Sequence, residues 1–185
     1  ITKGKDKVES LYEYLRWNKG KNIKIEDIFR MGPEELKDID TFMDEWISFL
    51  KDMDSDRSAE LLLEACLYKG IDCLCEIART EYMKHPVLYK YACQELLNQN
   101  RNIECEKIGL EAIEVLPENL VVRGEIADLT AKAAIDLSHH DIVNRCYEIA
   151  FYSKPTLNNY FRLFQIPNNE TITKKAAIHM EKLPE

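Results

Sequence analysis

Glycine and proline are scarce in this chain, six of each in 185 residues, and the prolines mostly fall between apolar-periodic segments. Both residues interrupt helices, so their scarcity and placement favour a nearly all-helical protein. Long strands are hard to find. Long apolar runs are also missing: stretches such as LLLEACL at 61–67 are short and carry a charge, which excludes them as bilayer spans. Nothing resembles a signal peptide, so a cytoplasmic chain is the expectation. No G-x-x-x-x-G-K-S/T loop, G-x-G-x-x-G turn, G-x-S-x-G elbow or H-E-x-x-H helix occurs, which argues against the common nucleotide-binding and hydrolytic classes. Positive charge is in deficit, 25 Lys and Arg against 33 Asp and Glu, for a net charge of −8. Such a balance disfavours nucleic acid and anionic membrane as partners. The chain opens without methionine on the polar stretch ITKGKDK, and we read it as a piece of a longer polypeptide or a processed terminus.

What is present is ordinary for a folded domain: 45% apolar and 31% charged residues. Residues 1–32 carry eight Lys or Arg against five Asp or Glu, and residues 33–60 carry three against ten, so a mildly basic entry meets an acidic second segment. VESLYEYLRW at 8–17 spaces Val8, Leu11, Tyr12 and Leu15 as a short amphipathic helix. NIKIEDIFRMG reads as a connection. From Pro33, the residues Leu36, Ile39, Phe42, Met43, Trp46, Ile47, Leu50 and Met53 recur at three- and four-residue steps on one helical stripe. Pro33 suits a first helical turn, and Glu34 and Glu35 suit the positive end of its dipole. After Asp54 the pattern predicts helices over 56–68, 71–84, 87–98, 102–115, 119–137, 140–152, 156–165 and 170–182, with brief breaks that force antiparallel neighbours. Residues 1–54 thus read as an N-terminal helical segment and 55–185 as a run of helical repeats, within one continuous domain.

The repeat itself is visible when helices are aligned on their terminal prolines. EKIGLEAIEVLP at 106–117 and NRCYEIAFYSKP at 144–155 superpose Ala112 on Ala150 and Ile108 on Cys146. A small residue at the first of these positions lets a neighbouring helix approach closely. Pro86, Pro117 and Pro155 lie 31 and 38 residues apart, bracketing the period of about 34 of tetratricopeptide repeats. The chain resembles that family: Ile126 and Ala127 in NLVVRGEIADLTAKAA match the apolar and small positions of its first helix, and Tyr147 and Ala150 those of its second. The usual first-helix tryptophan is absent and the spacing is irregular. The run from 108 to 164 also resembles the helical region that accompanies SWIM-type zinc fingers in larger bacterial proteins. A SWIM finger needs Cys-x-Cys followed by Cys-x-His, and the second half is not in this chain. The resemblance implies an all-α fold, antiparallel helix pairs stacked as a right-handed tetratricopeptide-like α-solenoid.

Three features could carry chemistry. DCLCEI at 72–77 holds Cys73 and Cys75, with His85 ten residues on. Two positions on a helix differ by about 200°, so these thiols point apart and cannot easily grip one ion. Ile71, Leu74, Ile77 and Ala78 form an apolar stripe that supports the helix. Cys66, Cys93, Cys105 and Cys146 also fall beside apolar residues and read as buried thiols. His139, His140 and Asp141 fall between two helices, where Ser138 or His139 would end one helix and Asp141 would favour the start of the next. Tyr82, Tyr89, Tyr91, Tyr152, Tyr160 and Phe161 could stack on bases or bind peptide, but at helical spacing they suit a core.

The reading is a non-catalytic scaffold that binds a protein or peptide, with no cofactor and no metal site. Carrying tetratricopeptide positions onto the helices after Pro86, Pro117 and Pro155 implies a partner-binding groove lined by Lys90, Gln94, Glu125, Asp128, Asn159 and Arg162. Two alternatives stand beside it. One is a structural spacer positioning a zinc finger or another domain; the other is a small enzyme or metal-binding domain built on Cys73, Cys75 and His85 or on the His139–His140 turn.

Overall fold

A computed structural model describes residues 5–17 and 39–182. The connection expected over 22–32 and the helix opening expected at Pro33 lie outside the described residues. Ten helices account for most of what is described: α1 (Lys5–Trp17), α2 (Ile39–Lys51), α3 (Asp56–Lys69), α4 (Ile71–Glu81), α5 (Val87–Asn98), α6 (Asn102–Val115), α7 (Val121–Asp136), α8 (His140–Ser153), α9 (Leu157–Leu163) and α10 (Glu170–Glu181). There is no strand among the described residues, which are all-α. None of the helices is long and apolar enough to cross a membrane. The chain divides into two compact units, Ile1–Ile77 and Ala78–Glu185, and the division falls within α4.

In the first unit the expected stripe is partly buried, with Ile39, Phe42 and Met53 half-buried and Leu36 outside the described residues. Met43, Trp46, Ile47 and Leu50 of α2 are interior, together with Val8, Tyr12 and Leu15 of α1 and Leu61, Leu62, Ala65 and Cys66 of α3. Tyr12 meets Phe49 edge to face at 5.6 Å, and its hydroxyl lies 3.2 Å from Ser55 Oγ. Ser55 starts α3 through a reciprocal cap: the Ser58 amide donates to Ser55 Oγ at 3.0 Å and the Ser55 amide to Ser58 Oγ at 3.1 Å. The two bonds satisfy donors that a helix start leaves open. At its other end α3 stops at Gly70, whose φ of 110° lies outside the range comfortable for a residue with a Cβ.

In the second unit each helix packs on the next, and α5 also packs on α7. The central element is α7. Gly124, Ile126, Ala127, Leu129, Thr130, Ala131, Ala133 and Ala134 are all buried, so its apolar surface runs round most of the helix, as expected for one with neighbours on several sides. Small residues set how close those neighbours come. A Cβ on Gly109 of α6 would sit 1.9 Å from Thr130 Oγ1, and one on Gly124 would sit 3.2 Å from the Ala150 carbonyl. Ala112, Ala150 and Cys146 are fully buried and Ile108 nearly so, as the repeat alignment requires.

Two of the interhelical turns share one backbone conformation. At the α5–α6 turn Asn100 takes φ 57°, its amide donates to Leu97 O at 2.9 Å, and the Arg101 amide donates to Leu96 O at 2.8 Å. At the α7–α8 turn Ser138 takes φ 61°, its amide donates to Ile135 O at 3.0 Å, and the His139 amide donates to Ala134 O at 2.8 Å. Both are Schellman closures, in which one left-handed residue lets the last carbonyls find donors. They stand 138 − 100 = 38 residues apart, the same offset as Pro117 and Pro155.

Candidate partner-binding face

The residues expected to line a groove fall on α5, α7 and α9, and most of them meet one another. Lys90 of α5 reaches Glu125 of α7 with Nζ 2.8 Å from Oε2. Lys154, just past α8, donates to the other oxygen of the same carboxylate at 3.1 Å. One turn along α7, Asp128 accepts from Arg162 of α9. Arg162 also lies 3.4 Å from Asn159 Oδ1 and holds its guanidinium 5.9 Å from the Tyr147 ring centroid. The result is a charged ladder running from α5 across α7 to α9. Gln94 stands outside it, exposed, donating to Asn98 Oδ1 at 3.2 Å. Asn159 is placed differently again. It is only 3% exposed, and its amide nitrogen donates to Lys154 O at 2.9 Å and to Ala150 O at 3.2 Å, closing the end of α8.

The two carboxylates of the ladder titrate in opposite directions. Hydrogen bonds from Lys90, and then from Lys154, hold the Glu125 carboxyl below its usual value. Burial raises that of Asp128, and Arg162 only partly opposes it. Glu125 therefore contributes stability that is present above its unfolded value of 4.5 and is lost as pH falls through the lower folded value. Glu125→Gln is expected to cost about 0.5–1 kcal/mol at pH 7, as partly exposed ion pairs do. That gap to the parent should narrow at pH 3 in urea titrations; a gap that stays constant would show that the charge of Glu125 is not what holds the two lysines.

The thiols named as alternatives are mostly buried. Cys73 and Cys75 sit on α4 with Ile71, Leu74, Ile77 and Ala78 buried, and Cys75 is buried while Cys73 is only partly so. Burial, and after it the neighbouring Cys73 thiol, pushes the Cys66 thiol well up from its usual value. Cys73 therefore has α3 as its neighbour, and the two sulfurs of the Cys-x-Cys pair do not converge. His85 is buried. Burial raises Cys146 to about 12, consistent with an inert interior thiol. No group of three or more His, Cys, Asp or Glu side chains is placed to hold a metal ion among the described residues. Of the six aromatics, Tyr89 is interior, whereas Tyr152 and Phe161 are exposed.

Two arrangements escaped the sequence reading. The first is the contact between His139 and Glu106, a nearly buried residue of α6: Nδ1 lies 2.8 Å from one carboxylate oxygen and 3.0 Å from the other. A carboxylate only accepts, so the imidazole donates from Nδ1, and the pair fastens the α7–α8 turn to α6. The second is on α9 and its C-terminal cap, where Leu157, Phe161 and Phe164 are 64%, 62% and 52% exposed. Their i, i+4, i+7 spacing puts them on one stripe. That spacing was legible; only the structure shows that the stripe faces away from the core. Comparison of the chain with protein-family models, curated proteins and solved structures finds no match, so the functional reading stands on this geometry.

Proposed function

We propose that this chain is a non-catalytic protein-interaction scaffold, a tetratricopeptide-like solenoid that receives a peptide or partner domain on the first helices of its pairs. The observation that carries the reading is the α9 stripe. Three large apolar side chains at helical spacing, each more than half exposed, are costly to leave in water and match the anchor pattern by which helices are held in grooves. The Schellman turns repeated at one offset support a stack of like units, as does the packing of α5 on both α6 and α7. In this reading Lys90, Glu125, Asp128 and Arg162 shape and charge the face while Gln94 remains open to a partner. The SWIM-associated resemblance would place the scaffold in a longer cytoplasmic protein.

The test is selection of binders from an unbiased display library of helical peptides on the 185-residue chain, followed by affinity measurements on variants. Phe161→Ala is expected to weaken the selected peptides at least about tenfold, since a buried aromatic anchor carries more than 1.4 kcal/mol. Binders indifferent to Phe161→Ala, Leu157→Ala and Gln94→Ala alike would sink the reading. The ladder favours a second reading, a structural spacer, because its charges already satisfy one another. A spacer predicts that breaking the ladder alters unfolding and leaves all binding unchanged.

A further inference from the structure

Of the six thiols only Cys73 is not buried, and its neighbour is another thiol. Cys66 lies on the last turn of α3, fully buried, and Cys73 on the first turn of α4. The two side chains meet: the Cys66 thiol donates a hydrogen bond to the Cys73 sulfur. A single residue, Gly70, joins the two helices, and the Cys73 amide donates to its carbonyl at 3.1 Å. Gly70 takes φ 110°, and a Cβ built on it would find nothing within 4 Å, so the turn that sets the spacing of the two thiols stands in open space. Other thiols have different surroundings. Cys75 points about 200° round α4 from Cys73. The Cys105 thiol donates to the Cys93 carbonyl at 3.4 Å, and Cys146 is packed among Ile113, Ala127 and Ala131.

We propose that Cys73 and Cys66 form a reversible redox site, in which a hydroperoxide oxidises Cys73 and Cys66 then closes a disulfide onto it. In the first step the Cys73 sulfur attacks an oxygen of hydrogen peroxide and the O–O bond breaks. Cys73 becomes a sulfenic acid, and the other oxygen leaves as water with the thiol proton. In the second step the Cys66 sulfur attacks the Cys73 sulfur, the S–S bond forms, the S–O bond breaks, and the hydroxyl leaves as water with the Cys66 proton. The two thiols together give up two electrons, and one peroxide takes them. Burial sets the order. Peroxide reaches the partly exposed Cys73, whereas burial, and after it the Cys73 thiol, holds the Cys66 thiol protonated well above its usual value, so Cys66 does not react with peroxide by itself. A disulfide needs its sulfurs about 2 Å apart, closer than a hydrogen bond leaves them. The unobstructed Gly70 turn supplies that movement. Once formed, the bond fixes the angle at which α4 leaves α3, and a thiol reductant releases it.

The experiment treats the folded 185-residue chain with hydrogen peroxide, labels the remaining thiols with a maleimide in urea, and digests with trypsin. Lys69 lies between the two cysteines, so trypsin separates residues 58–69 from 70–79 and the disulfide is read as a joined pair of these peptides. Maleimide should label two fewer than the six thiols, dithiothreitol should restore both, and non-reducing electrophoresis should show no linked chains. Residues 70–79 also hold Cys75, so the variants assign the bond: Cys75→Ser should keep the joined pair and Cys73→Ser should abolish it. Cys66→Ala should halt at the sulfenic acid, trapped on Cys73 by dimedone. Circular dichroism verifies the fold of each variant, and the joined pair in the parent chain decides the matter if Cys66→Ala does not fold. A joined pair that survives Cys73→Ser or is lost in Cys75→Ser would overturn the proposal. So would six thiols still labelled, a bond between Cys73 and Cys75, a disulfide between two chains, or Cys73 carried on to a sulfinic acid without the joined pair.

Discussion

Gly109→Ala is expected to destabilise the protein by about 2 kcal/mol, the reverse of what helix propensity alone dictates. Replacing a glycine in a helix interior with alanine ordinarily gains about 1 kcal/mol. Here the added methyl would meet Thr130 Oγ1 at 1.9 Å, Cβ at 3.0 Å and Cγ2 at 3.2 Å. Thr130 cannot swing aside cheaply. It is fully buried, β-branched, and its hydroxyl donates to Ile126 O at 2.8 Å. Either α6 and α7 separate or Thr130 leaves its rotamer, and overpacking of this kind costs about 1–3 kcal/mol or more. The double variant Gly109→Ala/Thr130→Ala removes the oxygen and the methyl that clash and keeps only the 3.0 Å contact. Its loss should be smaller than the sum of the two single losses by about 1 kcal/mol or more, a coupling that marks direct contact. Urea unfolding of the four proteins in this cycle decides the matter. A neutral or stabilising Gly109→Ala would mean that the α6–α7 approach is looser than described.

Much of this fold is legible in the sequence because helical periodicity is a local property. The expected 87–98 and 102–115 are the observed α5 and α6, and the other helices whose ends are described differ by at most a few residues. Close packing was legible through small residues, since the buried Ala112 and Ala150 announce it wherever their partners are. What escaped was set by partners far along the chain. His139 is fastened by a glutamate 33 residues away, and no spacing rule links the two. The α7–α8 turn carries no glycine, so nothing in its sequence announced the left-handed Ser138. For the candidate face, repeat register put Lys90, Gln94, Glu125, Asp128, Asn159 and Arg162 along one expected groove. It could not show that most of these side chains would bind one another, because that depends on how far apart α5, α7 and α9 lie.

That distinction bears on what the ladder does. Each rung is partly exposed and contributes modestly alone, on the order of 0.2–1 kcal/mol. A carboxylate shared by Lys90 and Lys154 also ties both α5 and the end of α8 to α7. A partner that used Glu125 would have to displace two lysines first, so the groove line as such is poorly suited to charged recognition. The exposed Leu157, Phe161 and Phe164 carry no such penalty, which is why the proposed function rests on them rather than on the ladder.

Asn159 gives the sharpest separation between holding the fold and holding a partner. Its amide nitrogen serves two carbonyls at the end of α8, and the residue is buried, so Asn159→Ala should cost about 2 kcal/mol by leaving those acceptors without a side-chain donor. Asn159→Asp keeps the shape and should cost more, about 3 kcal/mol, because an anionic oxygen then faces two carbonyl oxygens, and Arg162, 3.4 Å from the other oxygen, offsets this only in part. The pH dependence distinguishes the two losses. Burial among acceptors raises the introduced carboxyl above the usual value of about 3.9, so the folded variant binds the extra proton before the unfolded chain does. Its penalty is complete above the raised folded value and shrinks as pH falls toward the unfolded one, where the neutral acid donates as the amide did. Relative to the parent, Asn159→Asp should therefore recover in acid while Asn159→Ala does not. If both variants instead unfolded like the parent and lost only peptide binding, Asn159 would belong to the partner face, and the C-terminal closure of α8 would have to come from backbone bonds such as Lys154 N to Ala150 O alone.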